Sequence, residues 1–112
     1  MKKILFIFLI LIGIFASAQN SEKENYIKRE SIGGKLDFNK KVEAQYSNAP
    51  SIRFGDTLYN KKDFAILLWA ANVRNLEIES FEHAAKIWEE IYKRSLTEPE
   101  RKAMKTGFEA KF

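Results

Sequence analysis

The single histidine, His83, follows Glu79 by four residues, a spacing that puts both side chains on one face of a helix. Two such groups could begin a zinc site, but a catalytic zinc takes three protein ligands and the chain has no cysteine to add. No metal site is expected, and His83 is read as a solvated residue on a charged helix face. One histidine and no cysteine also confine any Ser-His or Cys-His nucleophile arrangement to the surroundings of His83, and no serine stands in a Gly-x-Ser-x-Gly element. Carboxylates remain. Glu77, Glu79, Glu82, Glu89 and Glu90 share one stretch, and Asp56 follows Gly55 in a turn pattern. Glycosidase-type acid and base work needs two carboxyl groups held apart across a substrate. A clustered acidic stretch is instead the solvated face of a helix, and an Asp beside a Gly serves the turn. No catalytic residue and no cofactor are assigned.

Gly33-Gly34-Lys35 has a phosphate loop's composition without its spacing, and no Ser or Thr follows the lysine. In Asp37-Phe38-Asn39-Lys40-Lys41, lysine stands where a calcium loop needs an oxygen ligand. Nucleic acid is excluded as a partner because a phosphate-binding surface needs a basic stripe, whereas residues 77–95 hold more acidic than basic side chains. The pairs Lys40-Lys41 and Lys61-Lys62 could meet in space and contact an anionic polymer, but paired lysines are routine on surfaces.

The N-terminus carries an address. Lys2 and Lys3 precede an apolar run over residues 4–15 that only Gly13 interrupts, and Ala16-Ser17-Ala18 is a small-residue cleavage pattern. Residues 1–18 resemble a bacterial Sec-type signal peptide, with cleavage expected after Ala18. The run is too short for the roughly 20 apolar residues that span a bilayer, so no stable membrane span is expected after cleavage. A secreted or periplasmic location follows, at the bacterial envelope. Lys2 and Lys3 supply two of the four net positive charges, so the remainder is nearly balanced. It is also too short for more than one domain, and with no disulfide to staple it, packing alone must hold it together.

The elements follow from periodicity. Residues 19–31 are polar apart from Tyr26 and Ile27 and read as a weakly ordered lead-in or weak helix, leaving 32–112 as one small globular domain. After Gly33-Gly34, the apolar residues Leu36, Phe38, Val42, Ala44 and Tyr46 all fall on even positions, the period of a strand. Ile52 and Phe54 alternate again, and Gly55-Asp56 can turn the chain into Thr57-Leu58-Tyr59. A short antiparallel strand element is therefore expected over about 36–59. Three helices follow, over about 61–76, 80–95 and 98–111, the first capped by Asn60 and the third by a Thr97-x-x-Glu100 capping box with an early proline. The apolar stripe of the third is Met104, Phe108 and Phe112, with Gly107 as a weak point. The fold class is α+β, a strand element packed against a C-terminal three-helix cluster.

The second of these helices is amphipathic: Phe81, Ala84, Ala85, Trp88, Ile91 and Tyr92 share one face and charges the other. Phe81, Ala84 and Trp88 also make the pair from about Lys61 to Arg94 similar to a tetratricopeptide unit. Asn72 stands near that family's first-helix glycine and there is no second copy of the repeat, so the family is not assigned. The first helix differs, being apolar on two faces, with Phe64, Leu67, Leu68 and Ala71 on one and Ile66, Trp69, Val73 and Leu76 on the other. Such a helix is either enclosed on both sides or leaves one face for a partner. The expectation is a non-enzymatic protein-interaction or accessory module. It meets an envelope or secreted protein, or a second copy of itself, through Ile66, Trp69, Val73 and Leu76. That assignment requires Trp69 to be exposed. The alternatives are a small envelope hydrolase using Asp or Glu on a cell-wall polymer, and a peptide- or lipid-binding protein with a pocket lined by Phe38, Phe64 and Leu68.

Overall fold

The computed structural model describes residues 21–110; the expected signal peptide and its cleavage point, and Phe112 of the last helix stripe, lie outside the described residues. The architecture is α+β. Helix α1 covers 21–31, followed by α2 (Phe38–Gln45), β1 (Ile52–Phe54), β2 (Thr57–Tyr59), α3 (Lys61–Asn75), α4 (Phe81–Tyr92) and α5 (Glu98–Glu109).

The two strands form an antiparallel hairpin in the register Ile52 to Tyr59, Arg53 to Leu58 and Phe54 to Thr57. Gly55 carries the positive φ (+61°) at the first central position of the turn, where a side chain would be strained. The expected strand over 36–46 is corrected, because residues 38–45 are helical. Phe38, Val42 and Tyr46 lie four apart as well as on even positions, so they serve equally as one stripe of a helix, and Ala44 and Lys40 are exposed. Asp37 decides between the two periods. Its Oδ1 accepts from the Lys40 N–H at 3.1 Å as the N-cap of α2, and its Oδ2 accepts from Gly33 N–H at 2.7 Å, which pins the preceding turn.

Helix α3 lies at the centre. Asn60 caps it by accepting from Asp63 N–H at 2.7 Å, and its two apolar faces feed two separate cores. Ile66, Trp69, Ala70 and Val73 pack with Ile27 of α1, Ala84, Ile87 and Trp88 of α4, and Met104 and Phe108 of α5. Phe64, Ala65 and Leu67 pack with Val42 of α2 and Ile52 of β1. The segment read as a lead-in or weak helix is helical over 21–31, with Ile27 fully buried, and it closes one side of α3.

Helices α4 and α5 begin where their caps predict. Ser80 accepts from His83 N–H, and Thr97 and Glu100 form the complete capping box. Gly107 is not a weak point but the place where α5 lies on α3, since a Cβ there would stand 1.9 Å from the Leu67 carbonyl oxygen.

Candidate binding groove

The four residues expected to meet a partner do not form an exposed patch. Ile66, Trp69 and Val73 are buried, Trp69 to 2% exposure. Leu76, half-buried, borders a separate depression beside Tyr26. The Trp69 indole Nε1–H donates to Ser31 Oγ at 2.9 Å, and that hydroxyl donates in turn to the Ile27 carbonyl, so α1 satisfies the one polar atom of this face. The partner assignment to this face is therefore withdrawn: an all-round apolar helix was correctly read, but its cover was the segment set aside as polar. Two ion pairs and a hydrogen bond from α1 strengthen that cover: Lys23 with Glu77, Lys28 with Glu90, and Glu24 bonded to His83. His83 is thereby matched to α1 rather than to Glu79. Among the described residues no group of three metal-ligating side chains occurs, and no helix is long and apolar enough to cross a membrane. Phe38, Phe64 and Leu68, named for a peptide or lipid pocket, pack together into the second core.

A different concavity stands out. A groove of about 770 Å³ runs between α2, the start of α3, the end of α4 and the start of α5. Ile66, Trp88, Tyr92 and Ala44 give it an apolar lining, and Asn39 is its neutral polar residue. Lys40, Lys61, Lys62 and Arg94 contribute positive charge, while Asp37, Glu43 and Glu100 contribute negative charge. The two lysine pairs are thus brought to one place, although Lys41 turns away to the Lys35 carbonyl and the Phe38 ring.

The charges here are largely committed to one another. Arg94 grips Glu100 with two parallel bonds of 2.8 and 2.7 Å, and Glu100 also accepts from Thr97 N–H. These bonds, the Arg94 pair foremost, hold the Glu100 carboxyl down to about 2 against the opposing effect of burial. Lys61 is tied to Glu43 at 2.9 Å and to the Ser47 carbonyl. The Arg94 guanidinium lies 4.7 Å from the centre of the Trp88 ring, and the Tyr92 ring is 4.5 Å away from the same ring. Burial, with Asp37 nearby, raises the Tyr92 phenol.

One carboxyl in this part of the molecule is shifted the other way. Asp63 is raised by burial and then by the charge of Glu100. It borders a different concavity, however, between the hairpin and α5, together with Tyr59 and Lys102. The raised and the lowered carboxyl therefore line two separate concavities. Compared with family models, curated proteins and solved structures, the chain matches none.

The groove was within reach of the sequence only in fragments. Lys40, Lys61 and Lys62 stand in the sequence as parts of lysine pairs, Trp88 and Tyr92 belong to the apolar face of α4, and the even-position pattern of 36–46 hides the helix that makes one wall. The Asp37-x-x-Lys40 cap was the available signal.

Proposed function

We propose that the chain is an exported, non-enzymatic binding protein that takes a segment of another envelope or secreted polypeptide into the groove between α2 and the α4–α5 corner. The supporting observation is that each carboxylate lining the groove is engaged within the protein. Asp37 caps α2, Glu43 holds Lys61 and Glu100 holds Arg94. Glu100, its carboxyl held down to about 2, has no proton to give and little basicity to offer. An apolar lining beneath polar walls, at this volume, suits capture of a ligand.

Ala44 is exposed and lines the groove, which makes it the point to block. Ala44→Trp is expected to leave the circular dichroism spectrum unchanged and to abolish retention of the partner in affinity purification from the envelope fraction. Retention unaffected by this substitution would move the interface elsewhere. Sedimentation of the purified protein separates the homodimer alternative, which requires a dimer that Ala44→Trp dissociates. Export is tested separately by sequencing the N-terminus of the protein recovered from the envelope or medium, where the first residue is expected to be Gln19.

The hydrolase reading keeps one supporting observation, the raised carboxyl of Asp63. It predicts that hydrolysis of a purified cell-wall polymer is lost in Asp63→Asn.

A further inference from the structure

Within the groove the charges do not cancel. Lys61 is matched by Glu43, and Arg94 by Glu100. Asp37 accepts from the N–H groups of Gly33 and Lys40. Two groove charges are left with no partner among the described residues, the ammonium groups of Lys40 on α2 and Lys62 on α3, and both side chains are exposed. We infer, resting on the polypeptide-binding reading above, that the groove's occupant is an acidic segment of the partner. Two of its carboxylates meet Lys40 and Lys62, and its apolar residues lie against Ala44 and Tyr92.

The chemistry of the remaining lining narrows the occupant to a peptide. A uniformly charged polyanion, whether nucleic acid or an anionic wall polymer, needs a continuous basic stripe, whereas Lys61 and Arg94 are already matched by Glu43 and Glu100 and only two ammonium groups stand open. A nucleobase stacks on an open aromatic face. Trp88 offers none, being 4% exposed with Arg94 and Tyr92 against its ring, and Tyr92 is half-buried with one side taken up by Trp88. A peptide can place carboxylates at discrete points and neutral groups between them, which matches two isolated ammonium groups separated by an apolar lining.

The two lysines also sit where the local structure does not want them. Lys40 is in the first turn of α2, whose one nearby carboxylate, Asp37, is taken up as the N-cap, and Lys62 is in the first turn of α3, beside Asp63. The first turn of a helix favours negative side chains, so positive charge there costs rather than adds stability. A role in holding the fold is therefore a poor explanation for either ammonium group, whereas a ligand carboxylate would neutralise both. This difference gives the inference a readout that a structural role would not share.

Random heptapeptides are displayed and selected in parallel on the protein expressed from the full sequence and on its Lys40→Gln/Lys62→Gln variant. The native protein is expected to enrich sequences with at least two Asp or Glu residues. Synthesised winners should bind the double variant about tenfold more weakly, the size expected for losing two partly exposed charge pairs. The variant's Tm should be unchanged or higher by about 1–4 °C. Neutral or basic winners, or winners that bind the variant equally well, overturn the acidic occupant; if Ala44→Trp still blocks them, the groove reading stands without it. Winners indifferent to Ala44→Trp, or no enrichment at all, overturn both. A Tm that falls along with binding assigns the lysines to the fold and overturns the inference.

Discussion

Helices α2 and α5 both rest on α3, but they are held there by very different means. Helix α5 buries Ala103, Met104, Gly107 and Phe108 and starts from a complete capping box. It comes so close that backbone meets backbone at Gly107 and Leu67. Helix α2 buries Val42 alone, starts from a single Asp cap and carries lysine in its first turn. The contrast separates a part of the molecule built for stability from a part that is lightly anchored, and the candidate groove has one wall from each. Segments with few buried apolar contacts open at lower free-energy cost than the core. Amide hydrogen exchange is accordingly expected to be faster in α2 than in α3 or α5, and equal protection would erase the distinction.

The sharpest break is expected at Gly107. Gly107→Ala puts a methyl group into the Leu67 carbonyl and forces α5 off α3, at a cost of about 3 kcal/mol. In a domain of this size that is a Tm loss of more than about 10 °C. A loss below about 3 °C would mean the helices adjust freely and are not in tight contact. The next effect down is on the cover that α1 provides. Ser31→Ala leaves the buried Trp69 Nε1–H without its acceptor, at a cost of about 2 kcal/mol. Trp69→Phe leaves a cavity in either background, but it should cost less in Ser31→Ala than alone, since the donor it removes is then already stranded. Equal costs in the two backgrounds would mean that the Ser31 to Trp69 bond contributes little.

The same contrast explains what the sequence did and did not disclose. Helices α3, α4 and α5 were legible because caps at Asn60, Ser80 and Thr97 agree with long apolar periods, and local and tertiary preferences point the same way. Both faces of α3 were read correctly as apolar, and the structure divides them between two cores along those same residues. Helix α2 was lost because five apolar residues on even positions satisfy a strand, while three of them, four apart, satisfy a helix, and only the Asp37 cap tells the two apart. Helix α1 is harder to see in the sequence because its packing rests on Ile27, Tyr26 and one buried serine among polar residues, a signal that composition dilutes. The groove depends on both of these weakly encoded helices and on where they dock, so its residues could be recognised one by one but not assembled.

A smaller effect concerns the α5 wall and pH. Glu100 has its carboxyl held at about 2, against an ordinary value of 4.5, mainly by Arg94. A carboxyl depressed by folding contributes stability above its unfolded value and loses it as pH falls from about 4.5 through about 2. Because Arg94 is half-exposed, the contribution is set at about 2 kcal/mol rather than the larger figure that the full displacement implies. Glu100→Gln keeps a side chain able to complete the capping box and should flatten the stability curve between pH 5 and pH 2, which denaturant titrations at each pH would measure. An unchanged acid limb would assign the pH dependence to other carboxylates.

The smallest effect is expected on the α2 wall, where it bears most directly on binding. Glu43→Gln removes the partner of Lys61 on an exposed helix surface, and such pairs contribute only about 0.5 kcal/mol. Stability should therefore hardly move. In the groove, however, the substitution turns two unmatched ammonium groups into three, because Lys61 keeps only its bond to the Ser47 carbonyl. An acidic peptide selected on the native protein should bind Glu43→Gln about two- to threefold more tightly, and high salt should reduce the gain, since the charges involved are exposed to solvent. Weaker binding would mean that the Lys61 to Glu43 bond positions α2 for its ligand, and that geometry outweighs charge on this wall. The sign of a change this small therefore tells whether the lightly anchored side of the groove acts through its charge or through its shape.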